Sequence, residues 1–238
     1  MTGLMRGELI KTVTTRTLVG FAAMGVALAI ANVLIVTLSE DLVTVADKQE
    51  AIAGLPILLV LFGLVGAAGE YRHRTAAPAA LAAGRRGGRL LLARAGAYAV
   101  TGMAVGALTV VFSLVLGLPL LGSEPGPGLG AGDVAVVVGG SVIAAALCAI
   151  TGVAVGVLVR NQVVGVVGAL ILAFVVTPLL YGVDETLVEF TPFGAAMVLA
   201  GDPNADTVSV GGAALVLAAW TVPLLVGAIA AERGRDLA

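Results

Sequence analysis

Apolar runs free of charge recur six times along the chain, at 17–39, 51–69, 95–122, 134–159, 163–182 and 207–231. No Asp, Glu, Lys, Arg or His interrupts any of them. A helix needs roughly 20 apolar residues to cross a hydrocarbon layer about 30 Å thick. Lipid offers no hydrogen bonds to the backbone, so each run predicts a transmembrane helix rather than a strand. The runs at 51–69 and 163–182 are near the minimum length, and Thr177-Pro178 in the second predicts a kink or a stop. Arg160-Asn161-Gln162 leaves so little chain between spans four and five that they form a tight antiparallel hairpin, while 124–133 is a turn-rich loop.

Three segments between the runs carry their own pattern. Residues 2–16 alternate Arg6, Glu8, Lys11, Thr12 and Thr15 with Leu4, Met5, Leu9, Ile10 and Val13, which predicts an amphipathic helix in the membrane interface. It reads equally as an elbow that touches a partner and as a simple anchor. The stretch 70–94 holds six arginines and a single acid, Glu70. Anchoring or lipid phosphate contact accounts for the arginines; Glu70, beside Arg72 and Arg74, predicts a fixed ion-pair hinge. The stretch 183–206 contains a dozen apolar residues, too few to cross, and predicts a re-entrant or interfacial helix with Thr191 as N-cap, Pro192 as first residue and Phe193 following.

Composition reinforces the pattern. With 59% hydrophobic and 12% charged residues, the chain lacks the polar surface that a soluble domain needs. The charge is sorted along the chain as well. Arg6, Lys11, Arg16, Arg72, Arg74, Arg85, Arg86, Arg89, Arg94, Arg160, Arg233 and Arg235 fall on one side of a six-span topology, with Lys48 alone on the other. That bias predicts an N-in, C-in, all-α protein, a single transmembrane unit over 1–238.

Chemistry is sparse. Neither Lys11 nor Lys48 belongs to a phosphate loop, and no nucleophile elbow or metal-ligand spacing occurs. The expectation is that the chain is not an enzyme and holds no metal or cofactor of its own. His73 reads as structural or interfacial, and Cys148 as a small core residue. Uncharged spans disfavour proton- or sodium-coupled transport, which usually needs intramembrane ionisable groups. Asn32, Ser113, Ser141 and Thr151 are read as helix-packing polar groups or pathway residues, and Gly102-x-x-x-Gly106 and Gly152-x-x-x-Gly156 as close helix contacts.

Gly7-Glu8-Leu9-Ile10-Lys11 with Thr14-Thr15-Arg16, then Gly69-Glu70-Tyr71-Arg72-His73 with Thr75, Leu81-Ala82-Ala83, Arg85-Arg86 and Leu92-Ala93-Arg94, and finally Thr191-Pro192-Phe193-Gly194-Ala195-Ala196, resemble bacterial permeases of the ABC-2 superfamily over essentially the whole chain. Arg74 and Gly84 stand where that family commonly has glycine and proline. The resemblance implies a permease subunit of an ATP-binding-cassette exporter in the bacterial cytoplasmic membrane. It would pair with a second permease copy or a related permease and dock an ATPase subunit that binds ATP and Mg. Glu70, Tyr71, Arg72, His73, Arg74, Thr75, Arg85 and Arg86 would then couple to the ATPase, and Glu8, Lys11 and Arg16 would form the elbow. Membrane lipid is an expected partner and nucleic acid is not; the cargo would be hydrophobic or amphipathic. A secondary transporter or channel, and a non-transporting immunity or sensor module, are the alternative readings.

Overall fold

The computed structural model describes residues 2–38, 44–73, 75, 87–123, 127–201 and 207–235. These residues are all-helical, and six helices are long and apolar enough to span a membrane. In chain order the elements are α1 (Thr2–Thr14), α2 (Arg16–Thr37), α3 (Val45–Ile52), α4 (Pro56–Arg72), α5 (Gly87–Ser123), α6 (Ala131–Val159), α7 (Gln162–Ile171), a π-helical turn (Leu172–Val176), α8 (Thr177–Tyr181), α9 (Glu185–Glu189), α10 (Pro192–Leu199) and α11 (Val210–Arg235). The spans are α2, α3–α4, α5, α6, α7–α8 and α11.

Span two is not continuous. Helix α3 begins at Thr44, whose hydroxyl accepts from Asp47 N–H while the Asp47 carboxylate accepts from Thr44 N–H. It ends at Ile52, and α4 restarts at Pro56. Non-helical backbone at this depth needs partners within the protein. Ser141 supplies one: its hydroxyl accepts from Gly54 N–H at 2.9 Å and donates to the Ala200 carbonyl at 3.4 Å.

Neither proline in the later spans stops its helix. Before Pro178 the ladder widens into the π turn, and the Thr177 hydroxyl donates to the Leu172 carbonyl at 2.8 Å. A π insertion is one way for a helix to absorb a missing N–H. Pro223 lies inside α11. Of the kink or stop expected at Thr177-Pro178, the stop does not occur: the helix continues through a π-widened turn as far as Tyr181.

Spans two and four form the core of the bundle. Fifty-six per cent of each apolar window is buried, against 17% for span one and 11% for span five. Small residues let α4 and α6 approach until backbone meets backbone: a Cβ on Gly152 would lie 2.1 Å from the Val60 carbonyl oxygen, and one on Gly63 2.1 Å from that of Ala149. Gly102 and Gly106 seat α5 on Ala145 and Ala149 in the same way. Both small-residue motifs are thus helix contacts.

Gly152→Ala is expected to destabilise the protein in detergent by about 1–3 kcal/mol through overpacking, although alanine is the better helix former. Gly168→Ala on span five, where an added Cβ meets nothing within 4 Å, is the matched control and should be neutral or slightly stabilising. Thermal unfolding of the two variants side by side makes the comparison.

Helix α10 has the expected start. The Thr191 hydroxyl accepts from Gly194 N–H at 3.0 Å, and Pro192 occupies the first turn. Phe193, Gly194, Ala195, Ala196, Val198 and Leu199 are buried, and the helix packs on α11 and α6.

Candidate functional site

Helix α1 turns its charged side inward. Glu8 and Thr12 are buried, whereas Ile10 and Val13 are half exposed. Glu8 and Thr12 thus turn toward the helices, while Arg6 stays exposed along with Ile10 and Val13. Met5 packs against Gly96 of α5, which brings Glu8 and Lys11 to the same end of the bundle as the end of α4 and the start of α5.

Four charges converge there. Arg94, 4% exposed, donates through Nη2 to Glu70 and through Nε to Glu8 at 3.4 Å. Lys11 Nζ donates to the Glu8 oxygens at 2.8 and 2.9 Å and also to Glu70. Glu70 and Glu8 are both buried, at 8% and 7%. Two cations and two carboxylates balance, so the cluster as a whole carries no net charge. The planar guanidinium can address both acids at once, which a lysine at 94 could not do. Beside this node lie the mutually tilted rings of Tyr98, Phe62 and Phe21, with centroids 5.0 and 5.6 Å apart.

The next residue along α4 faces a second cluster. The Tyr71 hydroxyl donates to Glu232 at the end of α11, and Arg160 Nη2 donates to the same carboxylate at 2.9 Å. The Arg160 guanidinium lies over the Tyr71 ring, 4.8 Å from its centroid, a cation–π contact. Arg160 is the left-handed cap of α6, with φ of 55°. Glu70 and Tyr71 therefore tie the end of span two to α1 and span three on one side and to spans four and six on the other.

Several expectations change here. Glu70 pairs with Lys11 and Arg94, not with Arg72, which is exposed. Residues two apart on a helix point to different sides, so the 70–72 pair was geometrically poor. Arg74, Arg85 and Arg86 lie outside the described residues. His73 and Thr75 are exposed, and Thr75 N–H donates to the Glu70 carbonyl at 2.9 Å. Arg16 opens α2 on the surface, away from the node.

Three of the four intramembrane polar residues bond between elements. Asn32 Nδ2 donates to the Glu50 carbonyl at 3.0 Å, Thr151 pairs with Thr221 at 2.8 Å, and Ser141 bridges as described. Ser113 is the exception: its buried hydroxyl has no partner among the described residues.

At the opposite end, buried Glu189 accepts from the N–H groups of Thr207 and Val208 and so fixes the approach to α11. Arg94, Arg160, Glu232 and Glu189 were not among the site residues expected from the sequence, although Arg94 belongs to one of the motifs that carry the resemblance. Among the described residues no three His, Cys, Asp or Glu side chains group as metal ligands. Compared with models of protein families and with curated proteins, the chain matches none.

Proposed function

We propose that this chain is the membrane-spanning permease subunit of an ATP-binding-cassette exporter of the ABC-2 type, working as a dimer with two ATPase subunits. The observation that carries the reading is the burial of Glu70 between Lys11 and Arg94. This residue is the root of the arginine-rich 70–94 stretch that resembles the family's coupling element. Buried and charge-matched, it is rigidly joined to α1, so a push on the stretch beyond it would reach three helices together rather than deform one loop. In this reading the basic end is cytoplasmic, α1 is the elbow, the 71–86 segment carries the coupling to the ATPase, and α10 is the re-entrant element. The charge-free spans fit a passive pathway for an apolar cargo moved outward, with energy entering from another chain.

The purified chain alone is expected neither to bind nor to hydrolyse ATP. Filter binding with labelled nucleotide and a phosphate-release assay test this; saturable binding by the isolated chain would contradict the division of labour.

A further inference from the structure

Spans five and six follow one another in the chain but do not pack along one another among the described residues. Between them, backed by span four, lies a cleft of about 410 Å³. Its walls are apolar: Cys148, Val155 and Val159 from α6, Gly168 from α7, and Trp220 and Leu224 from α11. Along α6 the cleft runs from Cys148 to Val159, about 16 Å at the helical rise. That is about half the hydrocarbon thickness, the depth of one leaflet. Phe193 and Pro192 of α10 also line it, and the Trp220 indole N–H donates to the Phe190 carbonyl at 2.9 Å, tying α11 to the residue before the α10 cap. Leu172, where the π turn begins, also lines it, and π insertions are frequent where a helix makes room for a ligand.

The mouth carries a charge. Arg160 directly follows Val159, which lines the cleft, and its pair with Glu232 joins the turn between spans four and five to the end of span six. The Arg160 side chain is 31% exposed. Nε donates to the Val157 carbonyl and Nη2 to Glu232, while Nη1 has no bond among the described residues. An apolar slot about one leaflet long between two spans, with a partly exposed guanidinium next in sequence to its lining residue Val159, suits an anionic phospholipid in both shape and charge.

We propose that this cleft binds one acyl chain of an anionic membrane phospholipid, with its phosphate at Arg160. The site does not depend on the ATPase-coupled reading. It would plug the gap between spans five and six and hold the 4–5 turn against the end of span six.

The test uses the full chain in nanodiscs containing phosphatidylglycerol with a diazirine in the distal half of one acyl chain. Irradiation and peptide mass spectrometry locate the adducts. Cys148 and Thr151 are buried, at 1% and 5% exposure, so a lipid chain reaches them only from inside the cleft. Adducts are expected there, and also on lipid-facing Val111 and Val115 of span three.

Gly168→Leu fills the cleft from span five, and Val155→Phe fills it from span four. Each should lower the Cys148 and Thr151 adducts about tenfold, equivalent to about 1.4 kcal/mol of binding, and leave those on span three unchanged. Arg160→Gln should lower the cleft adducts from phosphatidylglycerol and leave those from a phosphatidylcholine probe at their own level. Labelling of span three alone, cleft labelling in both filled variants undiminished from the parent, or labelling by a free diazirine alkane but not by the phospholipid would each overturn the proposal.

Discussion

Arg94→Leu is expected to destabilise the protein by about 3–5 kcal/mol, the largest effect of any single change at the node. The loss is not the value of the ion pairs themselves. Removing the guanidinium leaves two buried carboxylates facing each other, with only Lys11 to offset them, and the Lys11 side chain is 40% exposed. Water screens Lys11, and its own removal should matter far less, about 1 kcal/mol. The combination Glu8→Gln, Glu70→Gln and Arg94→Met removes all three buried charges together and should recover most of the stability. Arg94→Lys should fall between, because a point charge cannot serve both acids. Thermal unfolding in detergent, following helical circular dichroism, orders the four variants. An Arg94→Leu protein as stable as the parent would show that the node bears no load.

On the proposed exporter reading, Glu70→Ala is expected to lower ATP-driven transport about tenfold, equivalent to about 1.4 kcal/mol of coupling. Membrane insertion should be intact, since none of the apolar spans is altered. Arg94 retains Glu8 as a partner in this variant, so the penalty on stability is smaller than in Arg94→Leu. Transport per ATP hydrolysed separates the two effects. A merely destabilised protein loses both activities in proportion, whereas an uncoupled one continues to hydrolyse ATP without moving cargo. Glu185→Ala, an exposed carboxylate on α9 and outside the proposed coupling segment, is the control and should behave as the parent. Normal transport by Glu70→Ala would remove the coupling assignment.

The spans themselves were legible because lipid imposes a simple rule: some twenty residues without charge. Their edges were less so. Helix α5 starts at Gly87, well before the apolar run at 95, because a helix continues past the hydrocarbon edge where nothing in the sequence breaks it. That extension carries Arg94 into the packed end of the bundle. As one of twelve basic residues on one side it looked like another topological anchor; a charge count cannot tell an anchor from a buried partner.

Helix α1 was read correctly as a helix with two faces. Which face turned inward was not given by the period, since in a membrane the apolar side can be the solvent side. The break at 53–55 and the π turn before Pro178 depend on tertiary partners, Ser141 for the first and a rewoven ladder for the second. Glu232 meets Tyr71 across 161 positions of sequence and Arg160 across 72, separations that leave no local pattern. The thread from Glu70 to the first helix was half visible, because Glu8, Lys11 and Glu70 each stood out as charges at the ends of apolar runs. Their convergence on Arg94 was not.

The most direct test of the central claim is purification of the full chain, tagged, from its native membrane in mild detergent, with the stoichiometry of co-purifying subunits measured by native mass spectrometry. The account predicts two copies of this chain, or one copy with a related permease, bound to two nucleotide-binding ATPase subunits that dissociate when Glu70 and the 71–86 segment are replaced by a flexible linker. Recovery of the chain without an ATPase, together with ion-gradient-driven uptake into vesicles that contain this chain alone, would contradict it.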